Sequence, residues 1–429
     1  MPRYTPSRRL TRFASLLVLA GALLLAACAF HSGGDTIAFL RDGQLWTINP
    51  DGSSATAIAS GGVVGVAWSP DHHQIVYRDG AAAFPFSTQV AASDAPGMLH
   101  VTSADGGGTV TITPISSGLA RSDAWWDMHG NRLVYREGLP TSDDKAPAVP
   151  IYVLSQADQP VGIARIFLQG GGSIPTVAPD GSQVAWVDAA GGVHLGKPGA
   201  SGAVIASGAL LNLPDGSRPA RLLWQPGHQA LLYATPAGDG QVTLVLADLK
   251  GRGRSLGMVT SLVDDAFSPD GALLLVRTSA TFAVWRVGAS PATTAYTWNE
   301  DDPYALAWWS PDGRYVLVRD RTGLSLADPQ AHTTRQLLAS AAPAPSGASA
   351  PTWHPLAGSP WNADGTRIVF ADDDQGSWQG HALPTSQEGG GLYVASIGGG
   401  PAPQLIASGR VAWPSWSYLD PNASLLVAE

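Results

Sequence analysis

Cysteine is almost missing from this 429-residue chain, which has one, and charge is scarce, at 14% of residues. An ordinary globular chain carries about 25% charge, so neither a solvated tail nor a helical bundle laced with ion pairs fits. One cysteine allows no internal disulfide and no cysteine pair for zinc. Long apolar runs are scarce as well. The main one, Ala14 to Ala27, is about 14 residues, short of what a bilayer span needs. What the chain has in quantity is 50 Gly, 33 Pro and 15 Trp, within a 45% hydrophobic composition. That supplies ample core, and the glycines have no period of three, which excludes both a disordered and a collagen-like chain.

The position of the lone cysteine is informative. Arg3, Arg8, Arg9 and Arg12 precede the apolar run with no acidic residue among them, the layout of a secretory signal. Leu25-Ala26-Ala27-Cys28 resembles the lipobox of bacterial lipoproteins, which implies cleavage before Cys28 and acylation of its thiol. Each buried CH₂ of an acyl chain contributes roughly 0.8 kcal/mol, so a multiply acylated (palmitate-type) cysteine holds a protein firmly at a membrane. Residues 1–27 are therefore expected to be the signal peptide, 28–35 the lipidated cysteine with a short tether, and 36–429 the folded domain. The expected location is extracytoplasmic, lipid-anchored to a bacterial membrane. Ala29 after the cysteine fits outer-membrane sorting, by analogy with such lipoproteins. Without residues 1–27 the net charge moves from −9 to about −13, which leaves no basic footprint for nucleic acid.

One pattern recurs about every 50 residues: an apolar strand ending in an aromatic, a tight turn, then a second apolar strand. It reads Trp68-Ser69-Pro70-Asp71, Pro179-Asp180-Gly181, Phe267-Ser268-Pro269-Asp270-Gly271 and Trp309-Ser310-Pro311-Asp312-Gly313. Weaker copies are Trp126-Asp127 with Gly130, Trp224-Gln225-Pro226-Gly227, Trp361-Asn362-Ala363-Asp364-Gly365 and Trp416-Ser417 with Asp420. Proline sets φ for the turn, aspartate bonds back to nearby amides, and glycine takes a conformation closed to residues with a Cβ. These aspartates are expected to be turn caps rather than catalysts. The flanking strands alternate β-branched, aromatic and small residues, as strands of face-packed sheets do. One such unit cannot bury both faces, whereas radial stacking of four-stranded sheets can, and it leaves few open edges. The fold class expected is all-β, a single β-propeller.

The Trp-Ser-Pro-Asp-Gly turn, together with strand pairs such as Gly43-Gln44-Leu45-Trp46-Thr47-Ile48-Asn49 before Asp51-Gly52, resembles the WD40-like PD40 repeats of the TolB family, over essentially the whole chain after Cys28. The resemblance implies four-stranded blades and leaves function open, since such blades also occur in peptidase propellers. Eight anchors give eight blades, with seven as the alternative. The ends are expected to share a composite blade, with 410–429 supplying its inner strand and 36–60 its outer ones. Ile37 to Leu40 and Ser424 to Ala428 compete for one place in it.

Long inserts at 79–96, 137–150 and 372–390 fall between second and third strands, and the Ala- and Pro-rich stretch 340–360 falls between blades, so all four are expected to open on one face. They carry Phe84, Phe86, Trp353, His354, Trp378 and His381 beside Asp372, Asp373 and Asp374. Aromatics with a polar edge beside carboxylates suit contact with a peptide or glycan, while the bland alternative has the rings covering outer strands and the acids solvated.

Asp123, Asp265, Asp301, Asp302 and Tyr304 fall at or near the starts of innermost strands and are channel candidates. Converging there, the carboxylates would suit Ca²⁺ or a cationic group, and spread around the ring they are hydrated mouth residues. His72-His73 stands where a turn glycine is expected and reads as a loop variation.

No Gly-x-Ser-x-Gly elbow, His-Glu-x-x-His helix or Walker loop occurs, and Gly251-Arg252-Gly253-Arg254 reads as a turn. No cofactor and no catalytic residue is assigned. The expected function is a non-catalytic, monomeric envelope lipoprotein that binds a protein, peptide or cell-wall partner through the inserted loops. The alternative is a propeller enzyme, a glycan, peptide or metal-dependent hydrolase with its site in the central channel.

Overall fold

A computed structural model describes residues 35–60, 62–69, 72–79, 99–112, 120–127, 132–138, 151–156, 165–169, 176–178, 182–197, 200–211, 222–227, 230–260, 267–278, 280–300, 302, 305–339, 359–372, 376–384, 390–409 and 411–417. Cys28 and the leader lie outside the described residues. Every regular element among those described is a strand, and the strands assemble into eight antiparallel sheets.

The chain begins in sheet 1 with β1 (Ile37–Arg41), β2 (Gln44–Ile48) and β3 (Thr56–Ala59). Sheet 2 holds β4 (Val63–Trp68), β5 (Gln74–Asp79), β6 (Leu99–Ser103) and β7 (Thr109–Ile112). Sheet 3 holds β8 (Ala120–Asp127), β9 (Arg132–Gly138), β10 (Ile151–Gln156) and β11 (Arg165–Gln169). Sheet 4 is β12 (Thr176–Val177), β13 (Val184–Val187), β14 (Val193–Gly196) and β15 (Ala203–Ala206). Sheet 5 is β16 (Leu223–Trp224), β17 (Ala230–Gly238), β18 (Gln241–Asp248) and β19 (Gly253–Val259).

Sheet 6 comprises β20 (Leu273–Thr278), β21 (Thr281–Arg286) and β22 (Thr293–Asn299), with Phe267 bridged to Leu274 where an innermost strand belongs. Sheet 7 comprises β23 (Leu306–Trp309), β24 (Val316–Asp320), β25 (Gly323–Asp328) and β26 (Thr333–Ala339). Next comes β27 (Arg367–Asp372), followed by β28 (Ser377–Trp378) and β29 (His381–Ala382). β27 joins β30 (Gly391–Ser396) and β31 (Gln404–Ser408) in sheet 8, where Trp361 bridges to Ile368. The last strand, β32 (Val411–Trp416), returns to pair with β1, so sheet 1 runs β3-β2-β1-β32.

The Ser-Pro-Asp-Gly turns have the same bonds wherever they are described in full. The Ser268 hydroxyl donates to Asp270 (2.6 Å), whose carboxylate accepts from the Ala272 amide (3.0 Å), and Ser268 Oγ accepts from the Leu273 amide (2.9 Å). Ser310, Asp312, Arg314 and Tyr315 repeat this at 2.6, 3.0 and 2.9 Å. In the weaker copy Asn362 replaces serine, its amide donating to Asp364 (2.7 Å) and its carbonyl accepting from the Arg367 amide (2.9 Å). The turn glycines have φ near +70° and lie against the preceding sheet's turn. A Cβ on Gly313 would sit 3.5 Å from Pro269 Cδ, one on Gly365 3.3 Å from Pro311 Cδ, and one on Gly271 2.3 Å from the Pro226 carbonyl. His72 adopts φ +63° in the glycine's place and bonds through Nδ1 to the Ser417 carbonyl of the neighbouring turn. The turns therefore line one rim.

Successive sheets share buried seams. Trp68, Ile75 and Tyr77 of sheet 2 pack on Ala38, Leu40 and Leu45 of sheet 1. Like seams join sheets 4 and 5, 5 and 6, 6 and 7, and 7 and 8. Ile37, Phe39 and Trp416 of sheet 1 pack on Val369, Leu392 and Val394 of sheet 8. This face-to-face order of three- to six-stranded antiparallel sheets is propeller-like. The repeat's aromatics Trp68, Phe267, Trp309, Trp361 and Trp416 are all fully buried at the ends of inner strands, and burial of such side chains contributes about 1.5–3 kcal/mol each.

Candidate functional site

Because the Ser-Pro-Asp-Gly turns occupy one rim, connections from second to third strands leave from the other. Three of these are long: β5 ends at Asp79 and β6 starts at Leu99, β9 ends at Gly138 and β10 starts at Ile151, and β27 ends at Asp372 and β30 starts at Gly391. The sheet 7 to sheet 8 connection after Ala339 leaves from the same rim. Phe84, Phe86, Trp353, His354, Asp373 and Asp374 fall in these segments and lie outside the described residues.

The described members of that set take different places. Asp372 is 1% exposed, and its Oδ2 accepts from the Gly376 amide at 2.8 Å, which closes the start of the insert. Trp378 is also buried, stacked on Phe370 at 5.3 Å. It sits there because the insert folds back: β28 pairs with β26, adding β28 and β29 to the outer edge of sheet 7. The Gln379 amide donates to the Leu337 carbonyl (2.7 Å), and Leu383 joins the seam between sheets 7 and 8. His381 is exposed on this added hairpin.

Of the channel candidates, Asp265, Asp301 and Tyr304 lie outside the described residues. Asp123 is the extra residue of a bulge in β8, between the Ser122–Arg136 and Ala124–Tyr135 pairs. Asp302 is buried in the seam between sheets 6 and 7, where its Oδ2 accepts from the Arg321 amide (2.8 Å) and its carbonyl accepts from the Arg277 guanidinium. Around it lies the most concentrated buried charge among the described residues. Arg277 comes from the end of β20 and lies over the Phe282 ring at 5.0 Å. Glu300 follows β22, and its Oε1 accepts from the Asp302 amide at 3.0 Å. Burial pushes the Glu300 carboxyl up to about 7; Asp320 and Asp302 add to the rise, while the Asp302 amide and Arg277 oppose it. One seam further on, at the same level of β24, Arg319 reaches toward the Ala371 carbonyl (3.5 Å). No three His, Asp or Glu side chains among the described residues gather as a metal-binding group.

A second arrangement, which matches none of the sequence motifs above, occurs twice. In sheet 2, His100 stacks on Tyr77 (4.8 Å), with Nε2 2.9 Å from Asp79 and Nδ1 3.0 Å from the Thr111 hydroxyl. In sheet 4, His194 stacks on Trp186 (5.0 Å), with Nε2 2.7 Å from Asp188. In both, the histidine lies opposite the aromatic across the β-ladder, and the aspartate follows that aromatic by two residues. The bond from His194, then the Gly192 amide, holds the Asp188 carboxyl below its usual range. The sequence signal is an aromatic-x-Asp ending a second strand before a histidine in the third. Both sets pin strand 3 to strand 2.

No family model matches the chain, and no curated protein sequence matches it. Among solved structures it is similar to an oligogalacturonate lyase in complex with manganese, at 15% identity over 66% of this chain and 82% of that one, with a TM-score of 0.49. It is similar to a eukaryotic initiation factor at 14% identity, over 88% and 98%, TM-score 0.48. A β-propeller domain from Myceliophteria thermophila matches at 12% identity, over 65% and 87%, TM-score 0.40. Likeness at this level carries neither substrate nor partner to this chain.

Proposed function

We propose that this chain is a non-catalytic binding propeller of the bacterial envelope. It forms a closed ring of eight PD40-like blades of the TolB kind, sheet 1 being the composite blade, and Cys28 anchors it to a membrane. The loop rim opposite the Ser-Pro-Asp-Gly turns contacts a protein, peptide or cell-wall partner, with the propeller a monomer. The observation that supports this reading is that four long connections leave from that one rim. The exposed His381 and the insert aromatics Phe84, Phe86 and Trp353 supply the contact.

The test is affinity capture from the native membrane with the full chain, compared with chains lacking 82–96 or 341–358. The reading expects a partner retained by the full chain and lost from both deletions at unchanged thermal stability. Equal capture by all three would refute the rim as the contact surface. Cys28→Ser is expected to release the chain from the membrane fraction, and a chain that stays membrane-bound would refute the anchor.

A further inference from the structure

Each sheet ends outward in an edge strand, and edges are commonly protected by shortness, charge, proline or a bulge. β3, β7 and β15 have four residues, β31 five, and β11 starts with Arg165. β19 is longer but contains Arg254 and a Gly257 at φ +145°. β26 is long and is covered by β28 of the same chain. β22 is different: seven residues, Thr-Thr-Ala-Tyr-Thr-Trp-Asn, without charge, proline or glycine, at the outer end of sheet 6 among the described residues; like most of these edges it has a bulge, here at Ala295.

We propose that β22 is a docking edge for an extended peptide segment of a partner protein, added antiparallel as an extra strand. This site is separate from the loop rim. The cover on sheet 7 shows what an occupant looks like. Trp298 pairs with Phe282 as Leu338 pairs with Leu324, so β22 and β26 correspond at these positions. On β26 the Leu337 carbonyl accepts from Gln379, and Trp378 faces Leu338 and fills the seam. On β22 the Glu300 amide donates to the Ala280 carbonyl (2.9 Å), so alternation along the ladder turns 298 and 296 inward and the amides and carbonyls of Thr297 and Asn299 outward. Tyr296 and Trp298, stacked at 5.5 Å and half-buried, lie over the seam between sheets 6 and 7, where Tyr296 is braced by His332 (5.6 Å) and the Thr334 hydroxyl (3.0 Å) and Trp298 is the ring that an added aromatic would meet. At the other end the exposed Arg286 pairs with Thr293 on that same face. The occupant therefore carries an aromatic opposite Trp298, an apolar residue opposite Tyr296 and, past the bulge at Ala295, an acidic residue near Thr293.

The probe is the fluorescein-labelled peptide Gly-Ser-Trp-Thr-Val-Thr-Glu-Ser-Gly, with a version carrying Lys for Glu, titrated by anisotropy against the full chain. Saturable binding of the Glu peptide is expected, weakened at least tenfold by Thr297→Pro, which removes an outward amide and leaves the β21 ladder intact. Arg286→Glu is expected to reverse the preference between the two peptides, and it decides the matter if Thr297→Pro fails to fold. No binding at millimolar concentration, or a preference unmoved by Arg286→Glu, overturns the proposal. A wild-type dimer in sedimentation that Thr297→Pro converts to monomer would assign the edge to a second copy and overturn the peptide.

Discussion

At the scale of single residues, buried charge decides where pH acts. Glu300 lies in a seam with its carboxyl raised from 4.5 to about 7, so between those values the folded chain holds a proton that the unfolded chain has released. The stability that follows is present in full below about 4.5 and is lost as pH rises through about 7. Glu300→Gln keeps an acceptor for the Asp302 amide and removes the ionisation. It is expected to raise stability at pH 8 by roughly 1–3 kcal/mol and to change little at pH 4.5, read as the melting-temperature difference between variants across that range. An equal shift at both pH values would refute the assignment. Asp312 acts through a turn instead, its carboxylate accepting from both the Ser310 hydroxyl and the Arg314 amide. Asp312→Ala is expected to cost about 1–2 kcal/mol, measured as a lower urea midpoint at unchanged slope.

Elements show what a linear reading can and cannot see. The turns were legible because each is a local unit: Ser310, Asp312 and Gly313 bond within six residues, and the same bonds recur at Ser268 and Asp270. Asn362 was visible only as a weak copy, although its side chain reproduces both roles of serine. The sheet 7 extension was illegible. β28 has two residues, no periodicity, and a partner some forty positions upstream, in sheet 7, so the sequence left Trp378 open between a loop contact and a ring covering outer strands, and its ring closes the seam between sheets 7 and 8. Arg277 and Glu300 escaped for a related reason, since they meet Asp302, a channel candidate in the sequence, only when two sheets pack. Trp378→Ala should leave a cavity and cost about 3–5 kcal/mol. It should also uncover β26, raising amide exchange at 337–339 above that at 324–327; unchanged protection on β26 would refute this role for the insert.

For the whole molecule, sheet 1 is the place where the first and last described strands meet. β32 supplies its inner strand, pairing with β1, and Trp416 and Val411 fill the seam with sheet 8. The Trp68 indole donates to the Ser415 carbonyl at 3.4 Å, and His72 bonds to the Ser417 carbonyl, so sheet 2 also leans on this last strand. A chain ending at residue 409 loses these contacts at both neighbouring seams and leaves β1 as an open, apolar edge. If the sheets form a closed ring, the damage spreads beyond sheet 1, because each sheet is stable only between two neighbours. The truncated chain should then melt well below the full chain, in a broader transition, and associate through β1 in size-exclusion chromatography. Restoring 411–417 as a separate peptide should recover part of the lost melting temperature. A truncated chain that melts as cooperatively as the full one, and stays monomeric, would mean that sheets 2 to 8 hold together without the clasp, and the closed ring would have to be abandoned.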